Sequence, residues 1–316
     1  MMKIGALDVN WWGLPLDARL GRIAELGFEG VEFWLTPREL GFSEDVVITE
    51  WPEEYTVVRE YLTPHRFAKI VEEAGLEAQS FGQFNILGPQ PSQLGPTVIV
   101  TGKKMERRLR EIKGLMDFAA EAGVKILICD SGGDPDKPEQ WKPFLEAMND
   151  LTGHAERTGV VLAIENTQQN LVADDDGLLR LMKEIPSKAL RVHFDPPNLH
   201  LCPWRGLPAN KDVPGAIRKL KEYIVSAHAK DAIWHYPELW YPDEPDVYFR
   251  SCPVMGQGTT PWQECIEAFK EIEYNGYLIV EYFAPGRSRS TPPENAEKGM
   301  IDNKRYLEDL MAKIYK

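Results

Sequence analysis

From Lys3 onward, short apolar runs in this chain alternate with segments of helical period, and the alternation repeats eight times. The runs fall at 3–9, 30–35, 76–84, 124–130, 160–166, 190–196, 224–231 and 277–283, each short enough for a strand buried on both faces. The intervening amphipathic stretches predict helices. LDARLGRIAELG stops at Gly27, and TPHRFAKIVEEAG opens with Thr63 as N-cap and Pro64 in the first turn and ends at Gly75. Further helices are expected at 103–123, 138–159, 175–185, 213–223, 261–273 and 295–315. Strict alternation with parallel strands allows an open doubly wound sheet or a closed barrel, and the count of eight favours the barrel. The open sheet would need a Gly-rich phosphate loop after the first strand, where this chain has DVNWWG. The expectation is therefore an α/β protein, one (β/α)8 barrel domain over residues 1–316, with long active-site loops at about 36–62, 85–101 and 232–258.

A chain of 316 residues is longer than most single domains, but barrels of this class commonly reach ~250 residues or more in one domain. The hydrophobic share of 43% can fill such a core. A formal net charge of -13 repels phosphate backbones and anionic lipid heads, so neither nucleic acid nor a membrane surface is an expected partner. Cys129, Cys202, Cys252 and Cys265 form no CxxC pair and read as reduced thiols. MMKIGALDV enters directly as a strand, and no apolar run approaches the ~20 residues of a spanning helix, so a cytoplasmic location is expected.

Four of the runs end on a residue able to bind a metal. VVLAIEN delivers Glu165, LRVHFDP Asp195, IVSAHAKD His228 and YLIVEYF Glu281. Barrel strands open their C-terminal ends onto one face, so these residues converge although they lie more than a hundred positions apart. One such carboxylate is ordinarily just solvated. Four ligand-type residues at matching strand ends are different, because carboxylates crowded in a cleft repel and a divalent cation keeps them ionised. Three carboxylates and an imidazole suit Mn2+ first, with Mg2+, Co2+ and Zn2+ as alternatives.

The same stretches carry a family likeness. IEN at Glu165, FDPPN at Asp195, HAKD at His228 with GQG at Gly256–Gly258, and VEYF at Glu281 resemble the xylose isomerase-like barrel superfamily. Its sugar phosphate isomerase/epimerase branch, with the ketose 3-epimerases, hydroxypyruvate isomerases and inosose dehydratases, is the nearer likeness. The resemblance spans the chain in outline, with its specific motifs in residues 160–283. Two departures stand out. The ketose 3-epimerases usually have a histidine three positions after the metal aspartate, where this chain has Asn198. The apurinic endonuclease relatives bind three metals through extra histidines, whereas Gln83 and Asp130 end the third and fourth strands here, which argues against a three-metal centre.

Other residues divide between chemistry and structure. Lys230 has two readings, a bond to a substrate oxygen or an ion pair with Asp231 or another acid at the rim. His193, two positions before Asp195, is expected to line the barrel interior in a structural role, and His200 to be a surface residue. Trp11, Trp12 and Trp34 follow the first two strands, and the 232–255 loop holds Trp234, His235, Tyr236, Trp240, Tyr241, Tyr248 and Phe249. Aromatic faces suit the C–H faces of sugars, so Trp12, Trp34 and Trp234 join Lys230 and Asn198 as candidate substrate contacts. RSRS at Arg287–Ser290 reads as surface or subunit contact.

The expected function is metal-dependent isomerisation or epimerisation of a ketose or related polyhydroxy carbonyl compound through an enediolate. Glu165 and Glu281 would act as base and acid on opposite faces, with Asp195 and His228 as pure ligands. Expulsion of a β-hydroxyl or glycosyl group from the same enolate, as in a dehydratase or lyase on an inosose or 3-keto glycoside, is the rival. A catalytically silent sugar-binding barrel is a second. Pairing of barrels through their helices is open, with no residues to assign to it.

Overall fold

The computed structural model describes residues 1–11, 14–34, 62–87, 101–168, 170–200, 211–235, 249–251, 253–282 and 293–316. Within them the barrel strands are β1 (Lys3–Leu7), β2 (Gly30–Phe33), β3 (Glu77–Asn85), β4 (Ile126–Asp130), β5 (Val161–Glu165), β6 (Leu190–Phe194), β7 (Ile224–Ala229) and β10 (Tyr277–Val280). They close in the order β1-β10-β7-β6-β5-β4-β3-β2, every pair parallel. Closure is made where Lys3 pairs with Tyr277 and Ala6 with Val280. The structure is thus a single closed eight-stranded barrel with helices around it, as the alternation predicts.

Helices α1 (Leu16–Glu25), α2 (Pro64–Glu73), α3 (Gly102–Ala122), α4 (Trp141–Thr158), α5 (Asp175–Glu184), α7 (Val213–Lys219) and α8 (Trp262–Glu271) lie between the strands in sequence, and α9 (Pro293–Ile314) follows the last one. Their ends follow local chemistry. Thr63 accepts from the Arg66 amide at 3.2 Å, and Asp174 caps α5 through the Gly177 amide at 2.9 Å. Helices α3 and α4 stop at Gly123 and Gly159, with φ of 79° and 74°, a conformation that costs glycine little. Helix α2 buries Phe67 and Val71, and Phe67 meets Phe33, Phe81 and Phe118 edge-on at 4.9–6.0 Å between ring centroids. Such pairs each add about 0.5–1.5 kcal/mol beyond area burial, and these fasten α2 and α3 to β2 and β3.

Several boundaries differ from the sequence reading. Asp8 and Val9 belong not to β1 but to a 3-10 turn, Asp8–Trp11, because the Asp8 carboxylate is claimed by Arg19 Nη1 at 2.7 Å and the Trp34 amide at 3.0 Å. Pro196 does not extend β6; it begins a short helix, α6 (Pro196–His200), started by the Asn198 amide donating to Asp195 Oδ1 at 2.8 Å. Helix α7 ends early, since the turn after Leu220 lets the Tyr223 carbonyl accept from the Val192 amide at 2.9 Å and seed the β6–β7 pairing. The 232–258 stretch is not all loop: β8 (Ile233–His235) and β9 (Phe249–Ser251) pair antiparallel within it. The loop of 36–62 up to Tyr61, residues 88–100 of the second loop, 236–248, Trp12 and Arg287–Ser290 lie outside the described residues.

Candidate metal centre

β10, β7, β6 and β5 are consecutive around the barrel, so the four ligand-type residues come from neighbouring strands. Glu165 closes β5, Asp195 follows β6, His228 stands near the end of β7 and Glu281 follows β10. All four are buried, Glu281 being the most exposed at 4%. Asn166 fixes the first two relative to each other. Its amide donates to the Asp195 carbonyl at 2.9 Å, and its Oδ1 accepts from the Asp195 amide at 2.8 Å.

The imidazole is the hub. His228 Nδ1 lies 3.1 Å from Glu281 Oε2, 3.4 Å from Asp195 Oδ2 and 3.5 Å from Glu165 Oε1. None of these oxygens is in hydrogen-bonding geometry with Nδ1, which is buried without a hydrogen-bond partner. Ligand atoms of Glu165, Asp195 and His228 all fall within 4.8 Å of one another. A buried nitrogen facing three carboxylate oxygens without a hydrogen bond to any costs free energy unless a cation sits between them, and an O/N donor set of this kind fits a divalent ion.

Burial raises the Glu165 carboxyl above its usual range, and the neighbouring His228 offsets this only in part. Burial would also raise Asp195, yet Lys230 and His228 outweigh it and hold that carboxyl well below normal. His228 itself is pulled down by burial, but the charges of Glu281, Glu32 and Glu165 prevail and hold its pKa well above ordinary histidine. The cluster as it stands is therefore a nest of acids sharing one imidazole and one ammonium.

That ammonium belongs to Lys230, 3% exposed, whose Nζ lies 2.5 Å from Asp195 Oδ2 and is hydrogen-bonded to Glu281 Oε2. Of its two readings the ion pair is the one seen, but with two members of the quartet rather than with Asp231. Asp231 has another task. Its two oxygens accept from the backbone amides of Ala232, Gly256, Gly258 and Thr260 at 2.9–3.1 Å, so it folds the GQG segment against the end of β7. Gly258 is required there, because a Cβ would meet Asp231 Oδ1 at 2.1 Å.

Asn198 also turns inward: its Nδ2 donates to Glu165 Oε1 at 3.0 Å. Trp34 is 9% exposed, with its indole N–H on Glu32 Oε1 at 3.3 Å. The side chain of Trp234, on β8, lies with Trp12 outside the described part. His193 lines the barrel interior as expected, 2.5 Å from Ser226 Oγ, and burial lowers its pKa to about 3. His200 proves buried rather than superficial, its Nε2 3.1 Å from Thr259 Oγ1. At the opposite end of the barrel a separate cavity of about 590 Å3 opens between Lys3, Glu77, Lys125 and Tyr277, and no member of the quartet lines it.

Sequence reasoning passed over Glu32. This carboxylate, on β2 and fully buried, accepts at Oε1 from the outer nitrogen of the imidazole, His228 Nε2, at 3.1 Å, and at Oε2 from Ser80 Oγ at 3.0 Å. Its only trace in the sequence is an acid in the apolar run GVEFWL, a pattern that an exposed strand face produces as readily.

The model of the family described as xylose isomerase-like TIM barrel matches residues 20–310. The chain belongs to this family. Among solved structures, a xylose isomerase domain protein from Planctomyces limnophilus is 21% identical, covers 99% of both chains and superposes with a TM-score of 0.69. An L-ribulose 3-epimerase is 17% identical over 100% of this chain and 96% of its own, with a TM-score of 0.68. A xylose isomerase-like TIM barrel protein from Mycobacterium smegmatis in complex with magnesium is 16% identical over 99% of this chain and 98% of its own, with a TM-score of 0.65. At these identities the likeness is one of fold. No curated protein matches the chain.

Proposed function

We propose that this xylose isomerase-like barrel is a divalent-metal-dependent sugar isomerase or epimerase, acting on a ketose or related polyhydroxy carbonyl compound. The observation that carries the reading is His228 Nδ1, buried among oxygens of Glu165, Asp195 and Glu281 at 3.1–3.5 Å and hydrogen-bonded to none. Those four side chains would hold the ion. When bound, it supplies the positive charge that makes a C–H beside a substrate carbonyl acidic and steadies the enediolate that results.

The chain's own groups would move the protons. Glu165 and Glu281 reach the cluster from the two outer strands of the four, β5 and β10, and in this reading a substrate lying over the cluster would have one carboxylate toward either face. One takes the proton from carbon and the other returns one, at the same carbon for epimerisation or at its neighbour for isomerisation. Asn198 holds Glu165 by its amide, fixing the carboxylate in one orientation. Lys230, now paired with Asp195 and Glu281, would turn its ammonium to a substrate oxygen. The fold of L-ribulose 3-epimerase and the magnesium in the M. smegmatis relative support the reading at the level of the family.

One observation favours elimination as the second reading. Asn198 stands where ketose 3-epimerases usually have histidine, and an amide neither gives nor takes a proton. Metal analysis of the purified protein, followed by product analysis with ketoses, inososes and 3-keto glycosides, separates the two. Products of unchanged mass support the epimerase or isomerase, and loss of water or an aglycone supports the dehydratase or lyase. A protein that binds no divalent ion, or binds one without needing Glu165 or Asp195, overturns both.

A further inference from the structure

A metal-binding histidine must present a lone pair, and which of its nitrogens does so is decided by what the other one touches. In this barrel the far nitrogen of His228 meets a carboxylate from across the fold. β2 is three strands from β7 around the ring, yet Glu32 Oε1 stands 3.1 Å from His228 Nε2. Resting on the metal-binding reading above, we propose that Glu32 is a positioning residue: it accepts the Nε2 proton of His228 and so turns Nδ1, the nitrogen that would meet the ion, toward Glu165, Asp195 and Glu281.

Three features support the assignment. Glu32 is itself held from two sides, by Ser80 Oγ at 3.0 Å on Oε2 and by the Trp34 indole at 3.3 Å on Oε1, so the acceptor has little freedom to leave Nε2. The plane of the imidazole is fixed as well, because the ring of His193 packs against it edge-on at 4.1 Å between centroids and 80° between planes. Finally, Glu32 is 0% exposed, and a buried acid is costly unless its hydrogen bonds are met, as they are here by His228, Ser80 and Trp34.

Ligand atoms of Glu32, His193 and His228 also lie within 4.8 Å of one another, which raises a second ion as the competing explanation. Donors already face the Glu32 carboxylate from Trp34, Ser80 and His228, so its lone pairs are directed at N–H and O–H groups rather than at an open ligand position.

The test uses the full-length protein and two variants. Glu32→Gln keeps the shape and removes the charge, and Glu32→Asp keeps the charge but withdraws the acceptor from Nε2. Mn2+ affinity and stoichiometry are measured for all three, and 15N spectra of histidine-labelled, Zn2+-loaded protein report which nitrogen of His228 carries the proton. Both variants are expected to bind one Mn2+ per chain about 10- to 100-fold more weakly, the usual cost of losing such an orienting partner. Wild type should show protonated Nε2, with that signal shifted or averaged in the variants. If either folded variant keeps wild-type affinity and spectrum, the proposal is overturned; two Mn2+ per wild-type chain, falling to one in Glu32→Gln, replaces it with the second ion. A wild type that takes up no divalent ion overturns the metal-binding reading itself, a result distinct from any difference between wild type and variants.

Discussion

Lys230 Nζ lies 2.5 Å from Asp195 Oδ2 while also hydrogen-bonded to Glu281, so an internal cation holds two of the oxygens that a bound metal would need. Both partners are buried, and a hydrogen bond to a charged group is worth about 1.5–3 kcal/mol net. Removing the competitor should therefore favour the ion. Lys230→Met is expected to tighten divalent-metal binding by roughly 10- to 100-fold, at about 1.4 kcal/mol per decade. If the lysine also serves the substrate, turnover falls in the same variant. Calorimetric titration with Mn2+ decides the first point; unchanged or weaker binding would mean that the ammonium does not compete.

Asp231 gathers four backbone amides around one carboxylate and so ties the GQG segment to β7. Asp231→Ala leaves those donors without acceptors, and a loss of ~3–5 kcal/mol is expected. Asp231→Asn, which retains one acceptor oxygen, should lose less. Urea unfolding midpoints with a constant slope test the order. Were Asn as damaging as Ala, the negative charge rather than the count of acceptors would be what matters.

The aromatic cluster around Phe67 makes a prediction about stability alone. Phe67 is fully buried against Phe33, Phe81 and Phe118, and Phe67→Ala leaves a cavity between α2 and the barrel. The expected cost is about 3–5 kcal/mol, with metal affinity per folded molecule unchanged. A loss below 1 kcal/mol in denaturant unfolding would mean that the site collapses to fill the void.

How much of this was legible from sequence depends on the range of the interaction concerned. The strands announce themselves through apolar runs such as VLAIE and YLIV, and Glu165 and Glu281 are legible because an acid abruptly ends each run. Asp195 and His228 follow the same rule. Strand ends are misplaced by a residue or two wherever a side chain captures the backbone, as Asp8 and Asp195 do. Glu32 is illegible for a different reason: its partner is 196 positions away, and no local pattern separates an inward acid from an outward one. An ion pair for Lys230 is legible, but its partners Asp195 and Glu281 are not, since Asp231 beside it is the nearer acid in sequence and is spent on amides instead.

Metal uptake should also appear as stability. A ligand that binds only the folded chain adds about 2.7 kcal/mol at a free concentration one hundred times its Kd. His228 is fully buried at the centre of the cluster, and the oxygens around its Nδ1 come from β5, the end of β6 and the end of β10. An ion held there joins four consecutive strands, so its removal by chelator should lower the Tm, and Mn2+ or Mg2+ should restore it. His228→Gln keeps much of the side-chain volume but takes the nitrogen ligand away, and it should abolish most of the metal-induced shift while leaving the Tm in chelator within a few degrees of wild type or below it. Thermal unfolding followed by circular dichroism, with and without metal, provides the comparison. A metal-induced shift of full size in the variant would place the ion somewhere other than between Glu165, Asp195, His228 and Glu281.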